Sequence, residues 1–151
     1  MTSPIAETPV RRRGRSAVAL VTGLLVGVIL SLGTDQIFHV LKIYPPWGQT
    51  MSDGLFMLAT AYRVVYTILG SYIAARLAPY RPMWHAMVLG VVGLVVSIAG
   101  AVATWNTQPP IGPHWYALLI AAISIPCAWI GGMIRERQLG ITERPDYISP
   151  P

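Results

Sequence analysis

Four apolar stretches, each about twenty residues or longer and each followed by a break, dominate this chain. They cover residues 16–38, 54–77, 83–105 and 115–134. A helix needs about 20 apolar residues to cross ~30 Å of hydrocarbon, and all four meet that length. Pro45 and Pro46, Pro79 and Pro82, and Pro109, Pro110 and Pro113 occupy the three gaps. Proline lacks an amide hydrogen and clashes with the preceding turn, so helices stop there. Short gaps make successive helices antiparallel, which leads to an all-α, integral membrane four-helix bundle running up-down-up-down. Charged residues make up 11% of the chain, where a soluble domain carries about a quarter. A cleaved signal would have an apolar core of only about 7–15 residues, so stretch 16–38 reads as a retained first helix.

The basic residues then set direction. With the N-terminus in the cytoplasm, Arg11, Arg12, Arg13, Arg15, Arg76, Arg81, Arg135, Arg137 and Arg144 all fall inside, and Lys42 alone falls outside. Such an imbalance is the positive-inside signal, and it puts both termini in the cytoplasm. Trp47, Trp105, Trp115 and Tyr116 fall at the outer interface and Tyr80 and Trp84 at the inner one, where amphipathic rings are favoured. Residues 1–15 read as a mobile basic tail, and residues 135–151 as a second cytoplasmic tail. The net charge of +5 is thus explained by topology, and no alternation of basic and aromatic residues points to nucleic acid.

Lipid supplies little hydrophobic drive between helices, so small residues must let them approach closely. Gly23 with Gly27, Gly70 with Ala74, Ala86 with Gly90, Gly93 with Ser97 and Ala128 with Gly132 all have that spacing. They serve either packing inside the bundle or a homodimer seam. Pro126 deprives the Ala122 carbonyl of its helical partner, and a kink is expected there.

Arg63 is the polar residue that costs most. It stands about nine residues into the second stretch, where insertion of an arginine costs about 2.5–3.5 kcal/mol. Tyr66, Thr67, Gly70 and Ala74 share its helical face, so that face should point inward, with Tyr66 and Thr67 on a polar path. Asp35, near the outer end of the first helix, is the expected partner, and Asp53 is the alternative. Arg76, Arg81 and His85 lie at the inner interface, where they could contact lipid phosphate. His39 and His114 fall on one side but form no recognised ligand spacing, and Cys127 is the single cysteine. No metal or other cofactor is therefore expected. No nucleophile-base motif, zinc motif or phosphate loop occurs, so no catalytic residues are assigned.

Tyr62-Arg63, Gly70-Ser71-Tyr72, Ala75-Arg76-Leu77-Ala78-Pro79 and Arg81-Pro82-Met83 with His85-Ala86 form one set of local patterns. Leu89-Gly90, Ala103-Thr104-Trp105, Gly112-Pro113, Trp115-Tyr116, Pro126-Cys127 and Gly131-Gly132 continue it. In these, residues 62–132 resemble a group of small four-helix bacterial inner-membrane proteins. The resemblance implies a location in that membrane and no activity. Two functions are compatible with these features. The first is a non-enzymatic accessory or assembly subunit that acts by helix association, with a membrane protein or a second copy as partner. The alternative is a small oligomeric transporter or channel for an anion or small metabolite, using Arg63 and Asp35. The loop 39–53 suits an interfacial or re-entrant position.

Overall fold

The computed structural model describes residues 9–107 and 110–140. Four helices follow one another: α1 (Pro9–Val40), α2 (Asp53–Leu77), α3 (Pro82–Thr104) and α4 (His114–Gln138). Each is long and apolar enough to cross a membrane, and the described residues contain no strand. The shortest, α3, has 23 residues, about 35 Å at 1.5 Å per residue. The protein is a multi-pass membrane protein of the four-helix class.

Two helix ends lie more than three residues beyond the expected boundaries. Helix α1 begins at Pro9, so residues 9–15 of the expected tail are helical. Proline suits a first helical position, where its amide would lack a partner anyway, and arginine is a good helix former. Helix α4 runs past residue 134 to Gln138 because Arg135, Glu136 and Arg137 also favour helix, and the two arginines complement the carbonyl end of the dipole. Gly140 then takes φ 65°, a conformation that suits a glycine after a helix end. The remaining tail residues, 1–8 and 141–151, lie outside the described residues. Helix α4 stays helical through Pro126.

The loop after α1 is shaped by a tight cap. The Ile43 amide donates to the Phe38 carbonyl at 2.9 Å and the Lys42 amide to His39 at 3.1 Å, a pair of bonds that closes the helix end. Lys42 takes the left-handed φ of 57° usually reserved for glycine. That costs roughly 1–2 kcal/mol. The chain doubles back, and the Tyr44 amide also reaches Phe38, at 3.0 Å. Tyr44 ends 3% exposed, with its ring edge-on to Phe38. Arg81, before Pro82, is the other left-handed residue, at φ 42°, and it turns the chain into α3.

Around the bundle the order is α1, α2, α4, α3, with long seams between α1 and α2, α2 and α4, and α4 and α3. Helix α1 touches α3 only slightly and α4 not at all. Small residues make the seams. A Cβ on Gly23 would sit 2.5 Å from the Gly70 carbonyl oxygen, and one on Gly70 would sit 2.6 Å from that of Gly23. Gly90 faces Ala128, Gly131 meets the backbone of Ile68 and Tyr72, and Gly132 meets Met83 and Ala86. Away from the seams, Val18, Val21, Leu25 and Ile29 on α1 and Val91, Val95 and Val102 on α3 are exposed, as lipid-facing side chains are. One end of the bundle carries Arg13, Arg15, Arg76, Arg81, Arg135 and Arg137, and the other carries Lys42.

Candidate functional site

Asp35 and Arg63 lie at facing positions on the α1–α2 seam, toward the Lys42 end. Their side chains meet with Nη2 2.6 Å from Oδ2, a charge-assisted contact. Neither is sealed off, since the side chains of Arg63 and Asp35 are 29% and 14% exposed respectively. The second carboxylate oxygen accepts a hydrogen bond from the Tyr62 hydroxyl. Tyr62 has one proton, and it is committed to Asp35. The Tyr44 hydroxyl, 3.1 Å away, therefore donates to the Tyr62 oxygen. The cap after α1 puts Tyr44 there, and its burial pushes the phenol above its ordinary pKa, with the Asp35 charge acting the same way.

Aromatic rings flank the ion pair. The Arg63 guanidinium carbon lies 5.7 Å from the Tyr116 ring centre and 5.8 Å from that of Tyr62, within cation–π reach. The Tyr116 hydroxyl is buried with no hydrogen-bond partner, as is His39 Nδ1. His39 stacks on Trp47 at 3.8 Å, and Phe56 packs against Tyr116.

Two cavities share Arg63 as a wall. One of about 500 Å³ lies under the loops at the Lys42 end, lined by Asp35, His39, Tyr44, Trp47, Phe56, Thr107 and Tyr116 as well as Arg63. The other, about 350 Å³, continues to membrane depth, lined by residues of all four helices, with Gly23 and Gly27 on α1, Tyr66 and Thr67 on α2, Gly93 and Ser97 on α3 and Ser124 on α4. Ser71 is fully buried against it, and its hydroxyl has no partner. Tyr66 bonds to Thr34 at 2.9 Å.

The expected site residues thus divide. Asp35 and Arg63 are together at the upper cavity, and Tyr66 and Thr67 line the lower one. Asp53, the alternative partner for Arg63, instead accepts from the Trp115 indole at 3.2 Å. Arg76 donates to Tyr72 at 3.0 Å, and Arg81 is exposed. His85 differs from the expected lipid contact. It is fully buried, with Nδ1 3.2 Å from the Arg81 carbonyl and its ring held edge-on by Tyr80 and Trp84, so it presents nothing to a headgroup. The reason is that α3 starts at Pro82, which puts residue 85 in the first turn beneath those two rings. His114 stacks on Trp105 at 4.0 Å.

Tyr62, Tyr44 and Tyr116 complete the site; the sequence marked Tyr116 only as an interfacial ring and Tyr62 only within a local pattern, and it left Tyr44 unmarked. Tyr62 precedes Tyr66 by four residues and shares its helical face, a spacing that marks it. Tyr44 reaches the site only through the loop, which leaves no periodic signal. Among the described residues, no three His, Cys, Asp or Glu side chains gather to hold a metal ion. Compared with protein families, curated proteins and solved structures, the chain finds no significant match.

Proposed function

We propose that this is a small transporter or carrier that binds a charged small molecule at Arg63 and Asp35, without catalysis. The observation that carries the reading is the position of Arg63 between the two cavities, one under the loops and one at membrane depth. A charge kept there despite its insertion cost marks a ligand path, because residues of this kind usually line one. Only one guanidinium nitrogen is engaged by Asp35. The others remain to meet the anionic part of a ligand. The arginine imbalance supports both termini in the cytoplasm and Lys42 outside.

The second reading, an accessory subunit acting by helix association, rests on a different surface. Gly23, Gly70, Gly90, Gly131 and Gly132 are occupied within the bundle. What remains for a partner is the exposed apolar surface, the outer face of α1 from Val18 to Leu32 above all.

Proteoliposomes test the first reading, with uptake of glycerophosphoethanolamine and of inorganic phosphate followed for the native chain and for Arg63→Gln. Ligand binding at Arg63 predicts loss of uptake per folded molecule. Lower yield with unchanged uptake per folded molecule would make Arg63 structural and refute the proposal.

A further inference from the structure

The lower cavity has a shape and lining that no water-soluble ion requires. Leu24, Val28 and Leu32 on α1 and Val96 on α3 form much of its wall, and Leu24, Leu32 and Val96 are also exposed on the outside of the bundle. These are the two helices that barely touch. The cavity is therefore a cleft open sideways to lipid. It runs down from Arg63 to Ser71, eight residues along α2, or about 12 Å.

The upper cavity has the opposite character. Arg63 and Asp35 are its only formally charged residues among the described ones, and they sum to zero. A plain anion would gain from the guanidinium and be repelled by the carboxylate 2.6 Å away. A zwitterion satisfies both, with its anionic group on the free guanidinium N–H groups and the unpartnered Tyr116 hydroxyl. Its ammonium then meets Asp35, in a cavity also lined by Tyr44, Trp47 and Tyr116.

We infer that, within the binding reading above on which this rests, the ligand is a zwitterionic phospholipid of the surrounding leaflet. Its phosphoammonium head occupies the upper cavity and one acyl chain lies in the α1–α3 cleft. The buried, unpartnered Ser71 hydroxyl lies at the far end of that cleft. Glycine at position 93 leaves room for the chain. A Cβ there would meet Ser124 of α4 at 3.7 Å, an ordinary contact, so a methyl group fits at this wall of the cavity and a longer side chain takes up part of its volume.

Native mass spectrometry of the full chain in detergent tests this, with phosphatidylethanolamine, phosphatidylglycerol and chain-free glycerophosphoethanolamine as probes. One phosphatidylethanolamine per chain is expected, held about tenfold more tightly than phosphatidylglycerol. Gly93→Leu and, separately, Ser97→Leu should abolish its retention while helical content stays native. Arg63→Gln should weaken it roughly ten- to a hundredfold, the worth of a hydrogen-bonded charge. Retention unaffected by both cleft-filling variants would overturn the inference. So would glycerophosphoethanolamine binding as tightly as the lipid; if that binding still needs Arg63, the small-molecule reading survives alone. Binding of every probe unchanged in Arg63→Gln would refute both.

Discussion

Replacing Gly23 by alanine tests the α1–α2 seam on which the whole site depends. The new Cβ would lie 2.5 Å from the Gly70 carbonyl oxygen and 2.8 Å from the Ala74 Cβ, where ordinary contact begins at 3.4 Å. Neither neighbour is the tip of a flexible side chain, so the helices must part by about 1 Å, which forfeits up to half of the dispersion attraction along the contact. Overpacking of this kind costs about 1–3 kcal/mol. Alanine also raises helix propensity, so the change needs a reference on the same helix. Gly33→Ala provides one, because its Cβ meets nothing within 4 Å. It should be neutral or gain up to about 1 kcal/mol. Unfolding in mixed micelles by added dodecyl sulfate, followed by tryptophan fluorescence, reads the difference. Gly23→Ala should fall roughly 1–3 kcal/mol below Gly33→Ala. Equal stability of the two variants would refute a backbone-level crossing at Gly23.

Other outcomes follow from the same geometry. Asp35→Asn and Arg63→Gln should each destabilise the bundle by about 1–2 kcal/mol, less than a fully buried pair because both side chains are partly exposed. The double variant should lose less than the two single losses together, and a double-mutant cycle measures the coupling. Because burial raises the Tyr44 phenol above its ordinary 10.0, the folded chain holds that proton longer than the unfolded one. Stability should therefore be intact below about pH 10 and fall above it, and Tyr44→Phe should flatten that fall in melting curves. Cys127, 4% exposed, should resist alkylation in mild detergent and react once dodecyl sulfate unfolds the chain.

The membrane class and the four helices could be read from the sequence because length and proline placement act locally. The order of helices around the bundle could not. Each helix is apolar on nearly every face, so no stripe distinguishes its neighbours, and α2 packs against α4 as closely as it does against α1. Small-residue spacing marked Gly23, Gly70 and Gly90 but not which meets which, since any such pair can face any other. Arg63 drew notice by its cost, and Asp35 by lying near the outer end of the first helix, within reach of an arginine stem that extends outward. Tyr44 depended on a left-handed lysine at residue 42, a conformation that residue type does not announce. His85 lay in an inward first turn that hydropathy does not resolve.

The pairing of Asp35 with Arg63 also bears on biosynthesis. Asp35 lies 28 residues earlier in the chain than Arg63. When α2 enters the bilayer during synthesis, α1 is already there. The arginine that would cost about 2.5–3.5 kcal/mol on insertion alone meets a carboxylate delivered in advance. Asp35 stands near the end of its helix, where a lone charge costs little, and Arg63 stands about nine residues into the next stretch, so the shallower charge enters first and the deeper one finds its partner in place.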